Sequence, residues 1–129
     1  MKEDLNNLSN RIIGAAIEVH RELGPGLLES SYEAALHYEL QLQGVDCLRQ
    51  ISLPIVYKDL KVADSYRIDL LVGDSVIVEL KTVPELLPIH SAQLLTYLRM
   101  SGKCLGLLVN FHSVRLVKGI RRLVHNLPE

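Results

Sequence analysis

Two carboxylates and a lysine carry the strongest chemical signal in this chain. Asp69 lies in the run Arg67-Ile68-Asp69-Leu70-Leu71-Val72, and Glu79 and Lys81 lie in Val76-Ile77-Val78-Glu79-Leu80-Lys81. Both runs have the Val, Ile and Leu content of strands. Side chains alternate across a strand, so Glu79 and Lys81 share a face with Ile77, while Val76, Val78 and Leu80 point into a core. On the preceding strand Ile68, Leu70 and Val72 form the apolar set, and Asp69 lies opposite them. Register then decides whether the carboxylates meet. A two-residue turn at Gly73-Asp74 pairs Asp69 with Val78 and mixes charged and apolar residues on both faces. A three-residue connection, Gly73 to Ser75, pairs Asp69 with Glu79 and Leu70 with Val78. One face is then apolar, and the other gathers Asp69, Glu79 and Lys81. A one-residue slip reverses every side chain, so burial selects the second register.

Opposed carboxylates repel, and either one of them stays protonated or a cation neutralises the pair. Their hard oxygens suit Mg²⁺ or Mn²⁺, with waters completing an octahedral shell. An ion there polarises a phosphoryl oxygen and lowers the pKa of a bound water. Lys81 lies next to that water, placed to orient it or to stabilise charge developing on a phosphate. On spacing alone, the same three residues read equally well as a charged surface cluster on an amphipathic hairpin.

The elements that must position these residues are legible as changes of period. Leu5, Leu8, Ile12, Ala16, Val19 and Leu23 recur at helical spacing, and Gly24-Pro25-Gly26 stops that helix. A second helix follows, with Ser30 as expected N-cap, Glu33 closing a capping box, a buried stripe of Tyr32, Ala35, Leu36 and Leu40, and Gly44 at its end. Residues 51–57, 66–72 and 75–81 read as three strands, with Pro54 marking the first as an edge or a bulge. A third helix is expected from about Ser91 to Met100. Residues 104–110 read as a buried central strand, and a shorter strand is expected near 114–118. The predicted fold class is α+β (mixed α/β): order α-α-β-β-β-α-β-β, with a central mixed sheet flanked by helices.

Length and composition bound the function. The 129 residues, 48% hydrophobic and 22% charged, suit one domain (1–129) with a real core. A net charge of -1 excludes a general polycation that binds nucleic acid by bulk attraction. The charge is uneven, however. Residues 1–48 hold three Lys/Arg against eight Asp/Glu, whereas residues 111–129 hold Arg115, Lys118, Arg121 and Arg122 against Glu129 alone. That short basic tail, from about 119 to the end with the two residues before it, reads as a nucleic-acid phosphate contact, a solvated face or a partner contact. Cys47 and Cys104 are expected as buried reduced thiols, with no zinc spacing around them. The polar N-terminus and the lack of a long apolar run point to a cytoplasmic protein without membrane contact.

Asp69 followed by Glu79-Leu80-Lys81 at the end of the next strand resembles the D…(D/E)xK signature of the PD-(D/E)XK nuclease superfamily, with Ile68 at the position of the signature's Pro. The segment Gly26-Leu27-Leu28-Glu29-Ser30-Ser31-Tyr32, with the preceding Ile13 to Pro25, resembles the narrower GxxExxY family. The resemblance spans roughly residues 9–118. It implies a restriction-endonuclease-like fold and metal-dependent phosphodiester hydrolysis. It also implies that Glu29 joins Asp69 and Glu79 at the metal, and that Gln93 and Tyr97 match the Q-x-x-x-Y of recombination-type nucleases. Four residues apart, Gln93 and Tyr97 share a helix face with His90, suited to binding a phosphate or supporting Glu79 and Lys81. The same residues also read as one polar stripe on a helix.

Glu29 near a helix start has a plain alternative, since a carboxylate there is favoured by the helix dipole. His20 reads as a satisfied core histidine or as a border of the site. Tyr32 reads as core or as a hydrogen bond to backbone near the site. The leading expectation is thus a Mg²⁺- or Mn²⁺-dependent nuclease acting on DNA or RNA through an activated water. The alternative is an inactive nuclease-fold module for binding nucleic acid or protein, which fits the near-neutral charge and the scarcity of aromatic side chains. A chain this short is expected to gain specificity as a homodimer or from a protein partner.

Overall fold

The computed structural model describes residues 2–127. Met1, Pro128 and Glu129, assigned above to the domain and its tail, lie outside that range. Helices α1 (Lys2–Leu23) and α2 (Glu29–Leu42) precede strands β1 (Cys47–Ser52), β2 (Ile55–Tyr57), β3 (Leu60–Ala63), β4 (Arg67–Val72) and β5 (Val76–Lys81). Helix α3 (Pro88–Ser101), strand β6 (Leu105–Asn110), a short 3₁₀ turn (Leu116–Gly119) and strand β7 (Ile120–Val124) complete the chain. The five-stranded sheet runs β1-β4-β5-β6-β7, and β2 and β3 form a separate hairpin. The central pair β5 and β6 is parallel, and the other pairs are antiparallel. Parallel neighbours need a crossover connection, and α3 supplies it.

Both faces of the sheet are covered, which gives the expected mixed three-layer fold. Leu70, Val72, Val76, Val78, Leu80, Leu105, Leu107 and Val109 pack with Ile12, Ala16, Val19, Tyr32, Leu36 and Leu40 of α1 and α2. On the opposite face Leu71, Ile77 and Leu108 pack with Leu94, Tyr97 and Leu98 of α3. The helical stripe of α1 is thus real, although Leu23 at its end is 43% exposed.

Several local expectations are corrected. Residues 51–57 do not form one strand: β1 starts earlier, at Cys47, and the chain breaks at Pro54, which has no N–H to give to a ladder. The hairpin partner β3, Leu60–Ala63, is a strand to which the sequence reading assigns no element. The strand expected at 114–118 lies instead at 120–124, because Gly119 packs against Asn110 and Ser113 in a tight turn. A Cβ there would fall 2.9 Å from the Asn110 carbonyl oxygen. The basic tail is therefore an edge strand. Helix α2 begins at Glu29, and its N-cap is Leu28, which makes no side-chain cap. The expected Ser30–Glu33 capping box does not form, because the Glu33 carboxylate is taken by Arg49 and Gln50. Helix α3 begins three residues earlier than expected: Pro88 suits a first turn, and His90 Nδ1 accepts the Leu87 N–H. Both cysteines are free, but only Cys47 is buried, its thiol pushed up to about 11 chiefly by burial. Cys104, just before β6, is half-buried.

Candidate active site

The β4–β5 register is the one that burial requires. Leu70 pairs with Val78, Leu71 with Ile77 and Val72 with Val76, across a three-residue turn in which Gly73 and Asp74 take φ of 58° and 54°. One step further the ladder gives way to side chains. The Asp69 N–H donates to Glu79 Oε2 at 2.8 Å, and the Leu80 N–H donates to Asp69 Oδ2 at 2.9 Å. Each carboxylate thus replaces a strand carbonyl as acceptor, and the two meet where the strands part.

The neighbouring pair is interrupted at the same level. Between Arg49↔Leu70 and Ile51↔Ile68 the β1–β4 ladder skips Gln50 and Asp69, and Gln50 has φ of 54°. This left-handed residue turns the strands over: Cys47 and Leu70 pack with α1 and α2, but Ile51 and Ile68 pack with the α3 cluster. Ile68, expected beside Leu70 and Val72, is corrected accordingly.

Burial sets the electrostatics. Glu79 is 5% exposed, and its carboxyl is pushed up to about 8, first by burial and then by the Asp69 charge. Asp69 is also pushed up by burial, against the pull of the Leu80 N–H. Half-buried Glu29, at the start of α2, is raised by burial and then by Asp69. Lys81 opposes all three shifts, so Glu29, Asp69, Glu79 and Lys81 share one field. No ion pair holds the Lys81 ammonium among the described residues.

The remaining sequence candidates divide. Tyr97 is buried by α3 packing; its phenol is pushed up to about 12 by burial first and then by the Glu79 and Asp69 charges. Gln93 donates to the Tyr97 hydroxyl at 3.3 Å, which ties it to the residue that feels the carboxylate charges. Tyr32 is fully buried; its hydroxyl donates to Gly24 O and accepts the Leu27 N–H at 3.1 Å. It pins the Gly-Pro-Gly turn that leads into Glu29, as a core side chain that also hydrogen-bonds backbone. The Tyr32 ring stacks on Phe111, 4.5 Å between centroids, and the Phe111 N–H bonds Lys81 O. His20 hydrogen-bonds Ser113 O at 2.8 Å and tilts against Phe111, so it supports the layer behind the carboxylates. His90 caps α3. The basic residues stand apart: Arg121 donates to Lys118 O and Ile120 O, Arg122 to Asn6, and Arg115 is exposed.

Sequence reasoning missed Glu33, Arg49 and Gln50. Buried Glu33 pairs with Arg49 at 3.0 Å and accepts from Gln50 at 2.7 Å, and Gln50 reaches on towards Asp69 Oδ1 at 3.4 Å. The available signal was Glu33 standing one helical turn after Glu29. Glu33→Ala is expected to destabilise the fold by about 2–3 kcal/mol, moderated by the partial exposure of Arg49, as read by urea denaturation.

A family model of the PD-(D/E)XK nuclease superfamily matches residues 6–123. The chain belongs to that superfamily. No curated protein and no solved structure matches it. The Asp69 and Glu79-Leu80-Lys81 segments both lie inside the matched range. PD-(D/E)XK nucleases generally use divalent metal ions. Among the described residues no three Asp, Glu, His or Cys side chains come close enough to hold an ion together. The structure therefore presents an Asp69–Glu79 pair with Glu29 beside it, and not a closed three-carboxylate cage. The donor chemistry of the pair fits a hard cation. Each carboxylate anchors one oxygen on backbone, and the second oxygen of Glu79 accepts no hydrogen bond from the described residues and is not sealed in. No helix among the described residues is long and apolar enough to cross a membrane.

Proposed function

We propose that this protein hydrolyses phosphodiester bonds in DNA or RNA, with Asp69 and Glu79 holding Mg²⁺ or Mn²⁺ and Glu29 joining the shell through water. The observation that carries this reading is the mutual backbone anchoring of buried Glu79 and half-buried Asp69, two carboxylates that burial pushes towards the protonated form. A pair built this way is stabilised by any cation that replaces the proton. When bound, the ion neutralises the pair, polarises a phosphoryl oxygen and lowers the pKa of a coordinated water.

The chain's own groups do the rest. Lys81, on the Glu79 face and without an ion pair among the described residues, stabilises charge on the non-bridging oxygens and positions the attacking water. Tyr97 keeps its proton across the neutral range, so it acts as a donor and not as a base. Gln93 donates to the Tyr97 oxygen, leaving the phenolic hydrogen free to face the phosphate. Gln50, itself held by Glu33, steadies Asp69. The Gly-Pro-Gly-Leu-Leu-Glu-Ser-Ser-Tyr segment, clamped by Tyr32, supports a place in the narrower GxxExxY group. Free Cys47 and Cys104 suit a reducing, cytoplasmic setting. A homodimer, or a protein partner, supplies the contact area that so short a chain lacks for substrate choice.

A second reading is a non-catalytic module that binds nucleic acid or protein. It is favoured by the basic residues of β7, which hydrogen-bond to their own backbone and to Asn6 and not into the site. Cleavage of single- and double-stranded substrates with Mn²⁺ decides between them. Wild type is expected to cleave and the Asp69→Ala, Glu79→Ala double variant to be inert; equal cleavage by both contradicts the nuclease reading.

A further inference from the structure

A cleft of about 330 Å³ opens between α3 and the segment from β2 to β4. That size lies at the low end for small-molecule sites. Ile55, Tyr66, Ile89 and Tyr97 make its walls, and His90, Gln93 and Thr96 supply polar atoms. Tyr97 belongs to both places: its ring lines the cleft, and its hydroxyl feels the Glu79 and Asp69 charges. The Tyr66 and Tyr97 rings meet edge-on, with centroids 6.3 Å apart and planes at 73°. That arrangement leaves at least one face of the Tyr66 ring unstacked, and Tyr66 is 43% exposed.

We propose that this cleft receives one unstacked nucleobase next to the scissile phosphate, stacked on Tyr66, so that the preferred substrate is a single-stranded segment. The proposal rests on the nucleolytic reading of the carboxylate site and names its substrate class. Three features support it. An apolar slot with an open aromatic face is what a base seeks once it leaves a stack, and every base has such a face to offer. The polar atoms are complementary to a base edge: Gln93 spends one N–H on Tyr97 and retains its carbonyl and second N–H. His90 Nδ1 accepts the Leu87 N–H, so the neutral ring carries its proton on Nε2 as a donor. Finally, the flanking phosphates meet cations. Arg67 follows Tyr66 directly, and Arg99 is hydrogen-bonded to Thr96 at 3.2 Å. The scarcity of aromatic side chains in the whole chain matters less when two of them share this cleft.

A base inside a duplex is paired and stacked on both sides, so it does not enter such a slot without being extruded. The test measures binding without turnover in a Glu79→Gln background. The probes are a fluorescent single-stranded 12-mer, the same sequence as a duplex, and single strands carrying one abasic residue at successive positions. Adding Tyr66→Ala is expected to weaken single-strand binding roughly tenfold, within the range of one base stacked on an aromatic ring, and duplex binding less than twofold. Tyr66→Phe keeps the ring and is expected to bind like the parent. One abasic position should reproduce the Tyr66→Ala loss and cause no further loss in that variant. Unchanged single-strand affinity in Tyr66→Ala, or equal losses for single strand and duplex, overturns the proposal. Because Tyr66 lies at the surface, an unchanged thermal midpoint shows that the variant is folded. The two claims fail separately. A wild type that never cleaves but shows this Tyr66 pattern retains the cleft and loses the nuclease reading. Metal-dependent cleavage indifferent to Tyr66 does the reverse.

Discussion

Glu79→Gln is expected to lower cleavage roughly a thousandfold, the scale of losing a principal electrostatic element, and at the same time to make the metal-free protein more stable in alkali. The two effects have one cause. The folded Glu79 carboxyl titrates at about 8 against an ordinary value of 4.5, because burial and Asp69 disfavour its charge. Between those values the folded state holds a proton that the unfolded chain has released. Stability therefore falls as pH rises through that window, and the full penalty is present above pH 8. Glutamine keeps the acceptor for the Asp69 N–H and never ionises. The variant is expected to gain about 2–4 kcal/mol over wild type at pH 8.5 and almost nothing at pH 4.5, measured by urea denaturation without metal. Mn²⁺ should then stabilise wild type above pH 7 and leave Glu79→Gln unmoved, since only a ligand that binds the folded state raises stability. A variant less stable than wild type at pH 8.5 would show that the pair is a structural ion site and not a strained one awaiting a cation.

Lys81→Met separates chemistry from metal binding. The ammonium draws the titrations of Glu29, Asp69 and Glu79 downward, so its loss pushes all three further up. Cation uptake shifts to higher pH but persists, because the carboxylates remain. Single-turnover cleavage is expected to fall about 100- to 1000-fold at saturating Mn²⁺, the cost of losing a preorganised charge at the reacting phosphate. Full activity in Lys81→Met would remove Lys81 from the mechanism. Loss of Mn²⁺ binding at pH 9 would make it a structural support of the pair.

How far the sequence revealed these features depends on whether the signal was local. The β4–β5 register followed from alternation alone, because the two-residue turn mixes charged and apolar residues on both faces, and the Leu70–Val78 pairing obeys the three-residue one. The helices and the buried β6 followed from period and from Gly and Pro punctuation. The turn-over at Gln50 was not legible: nothing in Arg49-Gln50-Ile51 announces a left-handed residue, which Asp69 and Glu33 stabilise across the fold. For the same reason Ile68 was placed on the wrong face. The Ser30–Glu33 capping pattern matched its template, but long-range partners on β1 outcompeted the local bond for Glu33. The split of residues 51–57 was hinted at by Pro54, yet the β2–β3 hairpin that borders the Tyr66 cleft has no strong turn dipeptide. Strand β7 was displaced by six residues because the tight Asn110–Gly119 packing is a tertiary fact. The site was thus legible as a list of residues, whereas the supports of Asp69 and the cleft beside Tyr97 were legible only in three dimensions.

The central claim is that Asp69 and Glu79 form one cation site whose occupation replaces a proton. Calorimetric titration with Mn²⁺ at pH 7, repeated in buffers of different ionisation heat, tests it most directly. The expected result is binding near one ion per chain with net proton release, abolished in an Asp69→Asn, Glu79→Gln double variant. Absence of binding, or equal binding by wild type and that variant, would contradict it.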